Sequence, residues 1–485
     1  MPELSRRRRL LVLGICCMSL LIVSLDNTVL NVALPSIRKD LDASVAGMQW
    51  TIDAYTLVLA SLLMLAGSTA DRIGRRRVFK AGLVLFTVGS VLCSLAPTLE
   101  WLVTFRMVQA VGGSMLNPVA MSIITNTFTE PKERARAIGA WGGVVGVSMA
   151  AGPLVGGLLV EGVGWRSIFW INLPVGLAAL VLTARYVPES RAPRARRADP
   201  VGQLLVITLL GSLTYAIIEA PAAGWSSPLI VSCSAAAVLS LPGLVLYERR
   251  RAEPLIDLRF FRSAPFSGAT VIAVSAFAAL AGFFFVNTLY LQDVRGLSAL
   301  SAGLWMLPMA AMTFVCAPLS GRLVGSRGPR LPLLLAGVSM AASGVLFAGF
   351  RAESSDTLLF TGYVLFGIGF GLVNAPITNT AVSGMPRSQA GVAAAVASTS
   401  RQVGQSLGVA VIGAVLATGV GGATTGADVF VEASRPAWWV ITGCGVSVLL
   451  VGALTTGGWA TRTARSTAAR LESEAADQDP ASARA

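Results

Sequence analysis

GSTADRIGRRR, residues 67–77, joins two long apolar stretches, and it puts one acid and four arginines into that short connection. The chain around it has 485 residues, 54% of them hydrophobic and only 13% charged, with a mean hydropathy of +0.69. A soluble domain carries roughly 25% charged residues, so this composition belongs to a membrane protein. An apolar run needs about 20 residues to cross the hydrocarbon core. Fourteen such runs are expected, at 10–30, 48–70, 79–99, 101–125, 137–160, 167–186, 201–220, 228–247, 266–291, 301–321, 331–350, 357–382, 403–418 and 437–456. The quoted stretch therefore connects the second and third spans.

The formal charge of +13 does not gather into a nucleic-acid-binding stripe. Arginines occupy alternate connections: Arg6–Arg9, Arg72 to Lys80, Lys132–Arg136, Arg191–Arg197, Arg249–Arg262, Arg322–Arg330, Arg387 and Arg462–Arg470. The connections between these are short and neutral or acidic. That alternation is the positive-inside pattern, and it puts both termini in the cytoplasm. RRRRLLVLGICCMSLLIVSL is followed by Asp26 and a further apolar turn instead of a small-residue cleavage site, so it is read as a retained first span.

The chain looks duplicated. RMVQAVGGSMLNPVAMSIITNTF (106–128) is echoed by FGIGFGLVNAPITNTAV (366–382), each with Asn then Pro near its middle, and GSTADRIGRRR is echoed more weakly by GRLVGSRGPR (321–330). Repeats of this kind build two bundles around a midplane site. The expected organisation is a six-helix bundle over 1–190, a linker with two extra spans over 191–262, a second six-helix bundle over 263–460 and a disordered cytoplasmic tail over 461–485.

A carboxylate in mid-membrane costs about 2.5–3.5 kcal/mol and is a functional candidate by default. Asp26 lies deep in the first span, Asp53 a turn and a half into the second, and Glu219 near the end of the seventh; the last two are placed near the outer interface. Arg106, a turn and a half into the fourth span, needs a partner. Asp26 or a substrate acid would supply one, and an arginine beside Asp26 would favour the ionised acid; snorkelling to the interface is the alternative. The chain has no histidine, so proton chemistry falls to carboxylates, tyrosine or lysine. Among the six cysteines no zinc or disulfide spacing is seen, and no nucleophile–base pair or P-loop is found. Neither an enzyme nor an ATP-driven pump carrying its own motor is expected, and no metal or cofactor.

GGVVGVSMAAGPLVGG (142–157) sets small residues four apart, Gly142 with Gly146 and Gly152 with Gly156, around Pro153. Small faces let membrane helices approach closely, and the proline invites a bend. In the opening stretch the arginines serve orientation, but the acid is not required for it. Asp71 is expected to pair with a neighbouring arginine or to cap a helix.

Taken together, these motifs resemble the major facilitator superfamily, and within it the fourteen-helix drug–proton antiporter branch. Gly67, Asp71, Arg72, Gly74, Arg75 and Arg76 match the family's signature loop, which the resemblance makes a gating motif of the outward-facing state. LDNTVLNVALP (25–35) is similar to the branch's first-helix motif, whose acid is a protonation site, and the match falls on Asp26. Arg106 and Gln109 match the fourth-helix motif, with Ala110 where a glycine is usual. Gly152, Pro153, Gly156 and Gly157 resemble the fifth-helix antiporter motif, with Ser148 replacing a small glycine. WRSIFWINLPVG (165–176), YLQDVRGLSALSAGLWMLP (290–308) and RQVGQSLGVA (401–410) also look like this branch.

The resemblance implies an all-α integral membrane protein with the major facilitator fold: two six-helix pseudo-repeat bundles plus two inserted helices. It implies export of a drug or antibiotic across the bacterial cytoplasmic membrane in exchange for protons, by a monomer that alternates access. Asp26, Arg106, Asp53 and Glu219 are then proton-coupling candidates. Trp50, Tyr55, Gln109, Asn117, Phe284, Asn287, Tyr290, Trp305, Met306 and Asn374 are candidates for the substrate cavity. The alternatives are proton symport of a small organic nutrient and a membrane sensor that does not transport.

Overall fold

The computed structural model describes residues 5–191, 199–251, 254–351, 354–383, 385, 390–420 and 427–478. Arg194, Arg196, Arg197 and Arg387, part of the expected basic connections, lie outside the described residues. Within them every regular element is helical, as hydrocarbon demands of a chain whose backbone must satisfy itself.

The first bundle comprises α1 (Arg6–Leu41), α2 (Val45–Ile73), α3 (Arg75–Ser94), α4 (Leu99–Thr127), α5 (Pro131–Gly162), and the short α6 (Ser167–Trp170) that continues as α7 (Asn172–Tyr186). Two further helices follow, α8 (Pro200–Ala223) and α9 (Pro228–Glu248). The second bundle comprises α10 (Ala264–Leu289), a span of α11 (Ala299–Trp305) and α12 (Leu307–Arg327), α13 (Arg330–Ala348), α14 (Asp356–Val382), α15 (Ala390–Val420) and α16 (Ala427–Thr455). Among the described residues, thirteen stretches are long and apolar enough to cross a membrane. A fourteenth, α5, bends by 42° between Met149 and Ala151. Pro153 explains the bend, because its ring crowds the carbonyl four residues back, at Met149.

Each bundle has its own core. Val23, Tyr55, Phe79, Phe86 and Leu116 lie in the first, and Phe283, Phe347, Tyr363, Phe366 and Trp438 in the second. A third core joins them: Leu30, Leu34, Met48 and Ile52 of α1 and α2 pack with Phe285, Leu289, Val409 and Leu416 of α10 and α15. These residues lie on the side away from Arg6–Arg9. On that same side the Arg38 guanidinium reaches Asp293 at 3.3 Å, and the Gln49 amide donates to the carbonyls of Val409 and Ala410 at 3.1 and 2.9 Å. The bundles are thus closed against each other at the end remote from the arginine-rich one.

α8 packs on both α2 and α15 and so covers the seam between bundles. Gln203 donates to the Ser61 carbonyl at 2.5 Å, and the Trp50 indole donates to Glu219 at 2.7 Å.

Two expectations need correction. GSTADRIGRRR is scarcely a loop: Gly67–Ile73 finish α2, Arg75–Arg77 open α3, and only Gly74 stands between them. Its φ of +126° is a conformation that glycine tolerates. Of the tail expected to be disordered, 461–485, residues 461–478 instead belong to α17 (Gly458–Gln478), and 479–485 lie outside the described residues. Ala460, Ala464, Thr467 and Leu471 are buried, and their spacing of four, three and four residues puts them on one helical face. Composition alone suggested disorder; the periodicity argues for a docked helix.

Candidate functional site

Asp26 of α1 sits at the centre of a polar cluster to which four other helices contribute. Its Oδ2 accepts from Arg106 Nη1 on α4, and its Oδ1 accepts from Gln109 Nε2 and Asn172 Nδ2, both at 2.8 Å. Arg106 is fully buried, at 0% exposure, so it does not snorkel. Its Nε donates to the Thr51 carbonyl of α2 at 3.3 Å, and its Nη1 also reaches Gln109 Oε1 at 2.9 Å. The Tyr55 ring lies under the guanidinium, with 4.2 Å from Cζ to the ring centroid, a contact that offsets part of the cost of burying the cation. Arg106 Nη2, the Tyr55 hydroxyl and Asn172 Oδ1 have no partner among the described residues.

Glycines bring the supporting helices close enough for these short reaches. A Cβ on Gly112 would overlap the Phe86 amide nitrogen, and one on Gly89 would lie 2.6 Å from Gln109 Cα. A Cβ on Gly113 would lie 2.8 Å from the Tyr55 hydroxyl. The glycines of RMVQAVGG therefore seat α4 against α3 and α2, and the buried Ala110 is tolerated where a glycine was expected. Asn172 was missed as a site residue although it lies within WINLPVG. Ser90, which accepts from Asn172 at 3.0 Å and donates to the Phe169 carbonyl at 2.8 Å, was missed as well. A polar side chain inside an apolar span was the available signal.

Asp53 and Glu219 are not brought to this cluster. Asp53 is completely buried; it accepts from Thr56 at 3.3 Å and faces Ser406 of α15. Glu219 is held by Trp50 on the face covered by α8. In the second bundle Arg401 lies eleven residues inside α15, bonded to the Thr378 hydroxyl at 2.5 Å and 5.8 Å from the Phe277 ring centroid. Its Nε has no hydrogen-bond partner, and no carboxylate pairs with it among the described residues. Arg401 opens the motif RQVGQSLGVA, yet nothing in that motif singled it out as a site residue.

The antiporter-type motif lies between helices. A Cβ on Gly152 would collide with Thr28 Oγ1, and one on Gly156 would lie 3.1 Å from the Val29 carbonyl oxygen, both on α1. Gly157 faces Leu300 of the second bundle, where a Cβ would lie 2.5 Å from Cα, and a Cβ on Gly303 would collide with the Pro153 carbonyl oxygen. Ser148 fits: it is buried, and its carbonyl accepts from Thr28 at 3.3 Å.

At the opposite end, Asp71 Oδ1 accepts from Arg75 Nε and Nη2 at 3.1 and 2.8 Å. Glu189, just beyond α7, accepts from the Arg76 amide at 3.1 Å, and the Arg75 amide donates to the Ser190 carbonyl at 2.9 Å. Three arginines at a helix N-terminus oppose the helix dipole, and these two acids compensate them. Arg72 is exposed, and Gly67 is in ordinary contact with Pro118.

The ten cavity candidates divide. Tyr55, Gln109, Phe284, Asn287, Tyr290 and Met306 are buried. The first two belong to the Asp26 cluster, and Asn287 accepts from the Tyr363 hydroxyl at 3.0 Å. Trp50, Asn117, Trp305 and Asn374 are half-buried, with Trp305 stacked on Phe360.

A family model described as Major Facilitator Superfamily matches residues 16–409. The chain is 39% identical over 411 residues to the multidrug resistance protein Stp of Mycobacterium tuberculosis, covering 85% of this chain and 76% of that one. It is 40% identical over 418 residues to the tetracenomycin C resistance and export protein of Streptomyces glaucescens, with 86% and 77% covered. Among solved structures, a bacterial homologue of the human lysosomal transporter spinster, inward-facing and unoccupied, superposes with a TM-score of 0.66 at 20% identity, over 96% of this chain and 99% of that one; that likeness concerns the fold alone.

Proposed function

This chain belongs to the major facilitator superfamily, and we propose that it is a proton-coupled antiporter that exports drugs or antibiotics across the bacterial cytoplasmic membrane. The observation that carries the reading is Asp26: a carboxylate buried in mid-span, held by Arg106, Gln109 and Asn172, in a chain without histidine. Ionised, it neutralises Arg106. Protonated, it leaves the guanidinium without a counter-charge and its amide donors with a weaker acceptor, so the two charge states favour different packings of α1 against α4 and α7. That difference is what couples a proton to a change of access.

In this reading the basic end is cytoplasmic and the bundles, closed at the far end, are in the inward-facing arrangement. The contacts of Arg38, Gln49, Gly157 and Gly303 form the outer closure. The group of Asp71, Arg75 and Glu189 is the inner latch, waiting for the second bundle to swing against it. A proton moving down a 100 mV potential supplies about 2.3 kcal/mol, and each pH unit adds about 1.36 kcal/mol. Arg401, a half-buried cation within α15 with no acid beside it among the described residues, gives an acidic or carbonyl-rich compound an anchor in the second bundle. The names of the relatives, a multidrug resistance protein and an antibiotic export protein, support a drug as the cargo.

The test is growth of an efflux-deficient bacterial host on a drug panel, expressing the wild type or Asp26→Asn at equal membrane abundance. Protection against at least one compound by wild type alone is expected. Protection against none contradicts drug export.

A further inference from the structure

Where α17 docks, the short helical turn Leu258–Arg262 and α17 enclose a cavity of about 130 Å³ lined by Arg259, Arg262, Thr463, Ser466, Thr467 and Arg470. A second cavity of about 420 Å³ adjoins it, sharing Arg262 and Thr463, and runs between α10 and α16 past Val271, Val451 and Leu454. The first is basic. Arg259 is held by Asp257 at 2.7 Å, whereas Arg262 and Arg470 make no ion pair among the described residues. The second is apolar and opens outward, since Phe261, Val271, Leu454 and Trp459 are all exposed. α17 is tied in place by the Ala264 amide donating to the Thr463 hydroxyl at 3.0 Å.

We propose that the two cavities together bind one anionic phospholipid, its phosphate between Arg262 and Arg470 and an acyl chain along the groove between α10 and α16. Cations and an apolar channel in continuity match a molecule with a charged head and a greasy tail. A free anion uses only the first cavity, and a neutral lipid only the second. Trp459 lines the apolar cavity, and a ring of this kind is suited to the headgroup level. The arginines lie on the basic side of the protein, where a membrane's anionic lipids attract such clusters. The docking of α17 thereby acquires a purpose, because this helix closes the headgroup pocket.

Native mass spectrometry of the full chain, released from micelles with phosphatidylglycerol or phosphatidylcholine added, tests this. Wild type is expected to retain one phosphatidylglycerol in preference to phosphatidylcholine. The Arg262→Ala/Arg470→Ala variant should lose that preference about twenty-five-fold, from two contacts each worth about a factor of five. Arg465→Ala, an exposed arginine of the same helix outside the cavity, should retain it, and Val271→Trp should block the lipid by filling the groove. Thermal unfolding of each variant checks that it is folded. Equal loss in Arg465→Ala would show diffuse charge attraction and overturn the proposal. Displacement of the lipid by inorganic phosphate, with no effect of Val271→Trp, would make it a phosphate site and overturn the lipid assignment.

Discussion

Asp26 and Arg106, eighty positions apart, form an ion pair beyond the reach of water: the side chains are 2% and 0% exposed. Breaking a buried pair by removing one partner costs about 3–5 kcal/mol, whereas replacing both by neutral groups is often tolerated. Arg106→Ala is therefore expected to lower thermal stability sharply. The double variant Asp26→Asn/Arg106→Gln should recover much of that stability but none of the transport. Recovery of transport in the double variant would reduce the pair to a structural element.

Gly157 and Gly303 should tolerate no side chain, because a Cβ on either meets backbone of the other bundle. Gly157→Ala and Gly303→Ala are expected to loosen the closure. Spin labels on Lys39 and Ser298, both exposed near the Arg38–Asp293 contact, should show a longer distance, and export should fall at least tenfold. Gly143→Ala, in open space, serves as the neutral control. An unchanged distance in the first two variants would mean that the closure does not depend on these contacts.

Asp71 is 38% exposed at its side chain, so its pair with Arg75 contributes about 0–1 kcal/mol to stability. Asp71→Asn should leave thermal unfolding nearly unchanged yet reduce export by about tenfold or more, the signature of an acid used in another state. Gly74→Ala differs: the positive φ and the Glu189 carboxylate 2.6 Å from a new Cβ predict a stability loss of about 1–3 kcal/mol as well. If Asp71→Asn loses export only in proportion to its stability, the latch reading fails.

Arg401→Gln removes the half-buried cation of α15 without removing its hydrogen-bonding capacity toward Thr378. Half-saturating concentrations of acidic compounds should rise about tenfold or more, with neutral compounds little affected. Equal effects on both classes would argue that Arg401 packs rather than binds.

How much of this was legible in the sequence depends on which residues carried a signal of their own. A charge in mid-span is costly, so Asp26 and Arg106 declared themselves one at a time, and their pairing followed from mutual need. Asn172 and Ser90 are neutral and cheaper to bury, which hid them inside an otherwise apolar motif. Arg75 stands only four positions from Asp71, across the Gly74 turn between α2 and α3, but Glu189 lies 113 positions away from Arg76, and no local pattern predicts such a contact. Tyr55, Asn287 and Met306 show why cavity lists fail: an aromatic, an amide and a thioether look the same in sequence whether they line a cavity or fill a core. Asp53 was placed by counting from its span's end. Depth along a helix says nothing about which neighbour covers it, and α15 does.

The central claim is that protons enter and leave through Asp26. Internal pH is followed in proteoliposomes holding purified wild type or Asp26→Asn, each shown to be folded by thermal unfolding, while a compound from the protective panel is added across an imposed pH gradient. The account predicts compound-dependent proton movement in the wild type and none in the variant; exchange by Asp26→Asn at the wild-type rate would contradict it and move the proton to Asp53 or Glu219.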